Sequence, residues 1–192
     1  MANKRNLFLS GIAGLVLAGS IYAQEPETTN KGRETKVEQE EKKINYKTAD
    51  FSKDTEEILL ARMIFGEARG QSYLERIAVG YTAVNRAKDG KKFNGSNVRE
   101  AILKPKQYSC FDENNVNRKK LMEPENEDAK SFYECLKISK KILSGVEKDP
   151  TNGATHYFNP KLASPPWADK IKKIGRIKIG KGLSVHEFYK EK

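Results

Sequence analysis

Ile58-Leu59-Leu60-Ala61-Arg62-Met63-Ile64-Phe65-Gly66-Glu67-Ala68-Arg69-Gly70 is apolar around almost the whole circumference of a helix. A surface helix keeps one polar face, so this one is predicted to be buried, with other elements wrapped around it. Asp54, with Glu57 three residues on, has the pattern of a capping box that starts the helix, and Gly66 and Gly70 loosen its end. A second helix is predicted from Ser72, where Glu75 repeats the capping spacing and Leu74, Ile77, Ala78, Tyr81 and Val84 recur at helical intervals. A shorter helix is expected over Val98 to Leu103, ending before Pro105. A longer one is expected from Pro124, with Ala129, Phe132, Leu136 and Leu143 as its core face and a stop at Gly145. Beyond it, Asp149-Pro150-Thr151-Asn152-Gly153 is turn chemistry, and Ile177 to Ile179, Gly180-Lys181-Gly182 and Leu183 to Tyr189 read as a β-hairpin. The fold class predicted is mainly α with a small β-hairpin element.

The chain has 192 residues, enough for one such domain. Its N-terminus has the layout of a secretory signal: Lys4 and Arg5, an apolar run from Leu7 to Ala18 that is short for a membrane span, and Ala23 at a cleavage position. The expected organisation is a signal peptide over 1–23, a flexible charged linker over 24–50 and a catalytic domain over 51–192. From Gln24 to Asn45 the sequence is polar and without an apolar period, and burying it cannot offset the entropy of ordering it. The formal charge is +10 and belongs mostly to the domain, so a polyanionic partner is one functional reading and a solvated surface the plain one. Export favours bacterial wall polymers over nucleic acid as that partner, in the periplasm or outside the cell, with no stable membrane insertion after signal cleavage. A monomer is expected.

Glu67 is the most informative residue. It closes an apolar helix, where burial and the negative end of the helix dipole both disfavour a charged carboxylate. A carboxylic acid that keeps its proton near neutrality can give it to a leaving oxygen. The flanking glycines leave room for a polymer to approach. The plainer alternative is a structural glutamate paired with Arg69 or Arg86.

The motifs around it resemble the SleB/CwlJ-type cell wall hydrolases. Glu67-Ala68-Arg69-Gly70 is followed at the family's intervals by Ala78-Val79 and Asn85-Arg86. Gln107-Tyr108-Ser109-Cys110-Phe111 is similar to the family's Q-F/Y-S loop, and Thr155-His156-Tyr157-Phe158-Asn159-Pro160 to its A-T-x-Y-F-N-P segment. Trp167 and His186-Glu187-Phe188-Tyr189 resemble its closing H-x-F element. Arg76 and Ser72 depart from the family's Gln and Pro, and a basic run is inserted between Trp167 and His186.

The resemblance implies a lysozyme-like, lytic-transglycosylase-like domain that cuts peptidoglycan glycan strands between N-acetylmuramic acid and N-acetylglucosamine, with Glu67 as the catalytic acid and no cofactor or metal. That route needs one carboxylate. Ordinary glycoside hydrolysis uses two, and Asp89, Asp112 and Glu113 are the candidates for a second. Tyr108, Tyr157, Phe158 and Trp167 are candidate sugar platforms. Arg69, Asn85, Gln107, Ser109 and Asn159 are candidate polar contacts, and His156 and His186 are expected to touch substrate or tune Glu67. Cys110 and Cys135 are the two cysteines, and an exported chain with an even count suggests a disulfide, worth about 3.5 kcal/mol for the loop it would close. The rival readings are a Cys–His peptidase or amidase using Cys110 and His156, a non-catalytic glycan-binding module, and a metal-dependent amidase built on His156, His186 and Glu67.

Overall fold

The computed structural model describes residues 45–192, so the signal segment and most of the expected linker lie outside the described residues. Helix α1 (Glu56–Ala68) is the axle of the domain. Leu59, Leu60, Ala61, Met63, Ile64, Phe65 and Ala68 are all buried, as an all-round apolar helix requires. Its N-cap is Thr55, whose hydroxyl accepts from the Ile58 N–H at 3.3 Å, rather than Asp54. The Asp54 carboxylate instead pairs with Arg62 Nε at 2.7 Å. The Arg62 guanidinium is buried between the Phe51 and Phe132 rings and also donates to the carbonyls of Leu121 and Tyr46. A buried charge is tolerable because its donors are met in this way. The same bonds fasten Tyr46, which is buried, so packed chain begins before residue 51.

Four helices wrap α1. Helix α2 (Tyr73–Lys88) is capped by Ser72, whose hydroxyl accepts from Glu75 N–H at 3.3 Å. It approaches closely at Gly80, where a Cβ would stand 2.7 Å from Ile142 Cδ1 and 2.9 Å from Ile64 Cδ1. Helix α3 (Val98–Leu103) has the predicted span. Helix α4 (Val116–Met122) lies where the sequence predicts no element: Leu121 is its buried residue and Val116 lies in solvent, so it carries no periodic signal. Helix α5 (Pro124–Leu143) starts on Pro124 and breaks at Asp128, whose carboxylate then accepts from Ser131 N–H at 3.0 Å and restarts it. Phe132 and Leu136 are buried as expected, whereas Leu143, in the last turn, is exposed and Ile142 takes the core position.

The β part is larger than one hairpin. Strands β1 (His156–Phe158), β5 (Glu187–Lys190) and β2 (Lys172–Gly175) form an antiparallel sheet in that order. Strands β3 (Lys178–Ile179) and β4 (Gly182–Leu183) form a separate two-stranded ribbon. The predicted turn at Gly180 is therefore real, but the segment ending at Tyr189 leaves it to pair with β1, Tyr157 opposite Phe188. The domain is mainly helical with a small antiparallel β element, the class the sequence predicts.

Candidate active site

Glu67 lies in the last turn of α1, half-buried. Two segments distant in sequence grip its carboxylate. The short 3-10 turn Ser109–Phe111 presses on the helix end, and the Cys110 N–H donates to Glu67 Oε1 at 3.3 Å. This approach requires a glycine before Glu67, because a Cβ on Gly66 would lie 2.8 Å from both Cβ and Sγ of Cys110. From the other side, the Tyr157 hydroxyl donates to Glu67 Oε2 at 3.0 Å. Burial, and then the neighbouring Glu67 charge, push the Tyr157 phenol well above its ordinary value, so it keeps its proton and remains a donor.

Strand alternation aims Tyr157. In β1, residue 157 points to one face while 156 and 158 point to the other. On the Glu67 face, the Tyr157 ring meets His186 edge-on, with centroids 5.1 Å apart, and lies 6.1 Å from Phe188. On the opposite face, His156, Phe158, Trp167 and Tyr189 form an aromatic cluster. Trp167 stands 5.0 Å from His156 and 5.6 Å from Phe158, and Phe158 stacks on Tyr189 at 5.4 Å. Tyr157 is thus the expected platform residue that reaches the carboxylate. Phe158, Trp167 and His156 build a second feature behind it.

The remaining candidates take mostly structural posts. Tyr108 is buried, its hydroxyl 3.0 Å from Thr82 Oγ1 and its ring covered by the Arg86 guanidinium, so it offers no face to a sugar. Asn85 donates to Asp149 Oδ2 and to the Ala154 carbonyl, both at 2.9 Å. Its neighbour Arg86 donates to the Thr155 carbonyl at 2.6 Å. This pair anchors the segment that becomes β1, and so aims Tyr157 from a distance. The Gln107 carbonyl accepts from Arg86 at 3.4 Å. Ser109 is exposed, and Asn159 closes a turn onto Lys161 N–H at 3.0 Å. Arg69 turns away from Glu67, lying over the Phe65 ring and 3.8 Å from Glu127. Arg86 is likewise engaged elsewhere, which removes the ion-paired alternative for Glu67.

Glu75 is the site residue that sequence reasoning misses, reading it only as a capping partner. It is buried, and its Oε1 accepts from both His186 N–H and His186 Nδ1 at 2.8 Å. Burial works to raise its carboxyl, but the bonds from the His186 ring, His186 N–H and Val185 N–H outweigh this and hold it below the ordinary value. Its partner lies 111 residues away in the sequence, and the capping spacing around Ser72 already accounts for an acid at this position, so nothing local points to the pairing.

The disulfide expectation is corrected. Cys110 and Cys135 are both free and buried, each packed as a small apolar side chain, Cys110 against Gly66 and Cys135 within α5. Burial drives the Cys135 thiol up to about 12. Burial, and then the Glu67 charge, raise the Cys110 thiol well above its usual value, which starves a Cys–His peptidase of its thiolate. His156 bonds instead to Thr155 Oγ1 at 3.0 Å and faces Glu191. His156 and His186 sit on opposite faces of the sheet, and no group of three His, Cys, Asp or Glu converges among the described residues. Asp112 and Glu113 are exposed, and Asp89 accepts from Lys91 N–H at 2.9 Å. The groups bonded to the Glu67 oxygens are therefore neutral donors.

Curated relatives and a family model match this chain. A spore cortex-lytic enzyme of Bacillus cereus is 31% identical over 157 residues, covering 78% of this chain and 54% of that protein. One from Bacillus subtilis is 30% identical over 122 residues, 62% of this chain and 35% of that protein. The chain thus spans about half the length, or less, of these curated relatives. The catalytic domain of the germination-specific lytic transglycosylase SleB from Bacillus anthracis aligns with a TM-score of 0.49 at 24% identity, over 71% of this chain and 96% of that one. Residues 70–182 match the cell wall hydrolase family, a segment that takes in Asn85-Arg86, the Gln107 loop, the Thr155–Pro160 segment and Trp167, and begins just after Glu67. With more than half its length matched in this way, the chain belongs to the cell wall hydrolase family.

Proposed function

We propose that this protein is exported and cleaves peptidoglycan glycan strands between N-acetylmuramic acid and N-acetylglucosamine as a lytic transglycosylase, with Glu67 as its single acid and base. The observation that carries the reading is the Glu67 carboxyl, held at a helix end by two neutral donors, Cys110 N–H and Tyr157 O–H, in a member of a cell wall hydrolase family. The names of its relatives, spore cortex-lytic enzymes, support a wall substrate. In its acid form Glu67 gives its proton to the glycosidic oxygen as the bond to the muramoyl anomeric carbon breaks. The resulting carboxylate takes the proton of the muramoyl 6-hydroxyl while that oxygen closes on the anomeric carbon. The product is a 1,6-anhydro end, Glu67 returns to its acid form, and no water is consumed. The two neutral donors orient the carboxyl without a fixed positive charge competing for its proton.

Export is read from residues 1–23, and action in the periplasm or on the cell surface follows from where the substrate lies. The protein is proposed to work as a monomer without a cofactor. Mass spectrometry of the muropeptides released from purified sacculi, beside Glu67→Gln, tests the reading. Anhydro-muramoyl ends that vanish in the variant are expected. Reducing ends would mean hydrolysis with a second carboxyl, and cut stem peptides with intact glycan would overturn the proposal.

A further inference from the structure

We infer that Glu75 and His186 are positioning residues for the reaction, acting through Tyr157 to hold the Glu67 carboxyl in its working orientation; this rests on the proposed role of Glu67. Tyr157 sits on a three-residue edge strand, paired on one side with β5. Three residues of backbone pairing leave an aromatic ring free to swing, so its place has to be set by what it packs on. Two side chains of the chain's C-terminal segment do this on the Glu67 face: His186, perpendicular to the ring at 85°, and Phe188 beside it.

His186 precedes β5 and does not rely on the sheet for its own position. One oxygen of Glu75 accepts from both its main-chain N–H and its ring Nδ1, each at 2.8 Å, and the Ser184 hydroxyl donates to its carbonyl at 2.6 Å. Backbone and imidazole are therefore locked to one point on the first turn of α2. The connections run Glu75 to His186 to Tyr157 to Glu67, from α2 through the sheet to the end of α1. Neither Glu75 nor His186 touches the Glu67 oxygens, whose partners are Tyr157 and Cys110. A carboxylate kept ionised while buried is a costly way to fasten a loop, since packed apolar side chains would fasten it as well. What the pair adds is direction. Two bonds to one oxygen fix the ring plane of His186, and through it the swing of Tyr157.

A double-mutant cycle on the full protein separates this role from general support of the fold. Turnover on purified sacculi is measured for Glu75→Leu, which removes the shared acceptor oxygen, for Tyr157→Phe and for the double variant, with Glu67→Gln alongside. Glu75→Leu is expected to lower kcat about tenfold with KM little changed, since misplacing a reacting group by an ångström costs up to about a hundredfold. In the Tyr157→Phe background, where no hydroxyl remains to be aimed, the same change is expected to cost less than about twofold. An equal loss in both backgrounds, or none in the native one, overturns the inference. If Glu75→Leu does not fold, Glu75→Asp, which keeps the charge and withdraws the oxygen by one methylene, is put through the same cycle, and the same results support or overturn the inference. An active Glu67→Gln would defeat the proposed function itself, whereas an inactive Glu67→Gln with additive losses would defeat only the positioning role.

Discussion

A methyl group at residue 66 would meet the Cβ and Sγ of Cys110 at 2.8 Å, whereas one at residue 70 would meet nothing within 4 Å. The two glycines that flank Glu67 therefore do different things. Gly66→Ala gains helix propensity, up to about 1 kcal/mol, but overpacks a contact whose near atom is a Cβ and not a flexible tip, at a cost of about 1–3 kcal/mol. The net is expected to be a lower Tm. It should also bring a larger loss of kcat than of stability, because the displaced Cys110 N–H is a donor to Glu67. Gly70→Ala is expected to leave both within error, and thermal melts of the two variants check the contrast. Tyr157→Phe keeps the ring contacts with His186 and Phe188 and deletes the bond to Glu67 alone. Its expected signature is a kcat lowered by about ten- to a hundredfold with an unchanged melting temperature, read by turnover on sacculi and calorimetry.

At the scale of elements, β1 divides the chemistry, and its outward side has a pH dependence of its own. His156 is pulled down to about 4, first by burial and then by Arg86, which together outweigh the attraction of Glu191. Folded protein thus holds it neutral, while the unfolded chain protonates it near its ordinary value of about 6.5. Between those two values the unfolded state binds the extra proton, so stability is full above about pH 6.5 and falls as pH drops toward about 4. The expected loss is on the order of 3 kcal/mol, and His156→Phe should flatten that limb of a denaturation series run from pH 7 to pH 4. Which elements are legible in the sequence follows from how local their signals are. Helices α1, α2, α3 and α5 declare themselves by apolar spacing and caps, and Glu67 by its place at the end of the first. Helix α4 buries Leu121 and little else, so it has no period to read. Strand β5 reads as one arm of a hairpin because the Gly180 turn is a local signal, whereas its pairing with β1 spans some thirty residues and leaves no trace in either segment. Longer separations still, 90 residues for Tyr157's bond to Glu67 and 111 for Glu75's to His186, hide those contacts, each joining parts of the chain that only the fold brings together.

For the whole molecule the question is where the surplus of positive charge sits. Between Lys170 and His186 the chain carries Lys170, Lys172, Lys173, Arg176, Lys178 and Lys181 and no acid, against a total of +10. Lys172, Lys173, Lys178 and Lys181 are exposed, on β2 and the β3–β4 ribbon, although Lys173 also reaches Glu187 at 2.8 Å. A cationic strip of this kind raises the local concentration of a polyanion, and salt weakens it once the Debye length falls to about 10 Å near 0.1 M. If the wall is the substrate, its phosphate- and carboxylate-bearing polymers are the counter-charge. Binding to intact sacculi is then expected to weaken as salt rises from about 50 mM to about 200 mM, with kcat unaffected. Lys178→Glu with Lys181→Glu should raise KM on sacculi and remove most of that salt dependence. Both residues are exposed, on or beside the two-stranded ribbon, so the domain's core is untouched. An uncharged glycan fragment is the control. Turnover of the fragment should be the same for native and doubly substituted protein at every salt concentration, because it has no charge for the strip to hold. A salt response that survives the charge reversal would place the attraction elsewhere on the surface, and a fragment that lost turnover with the substitutions would mean that the ribbon shapes the site rather than gathering the substrate to it.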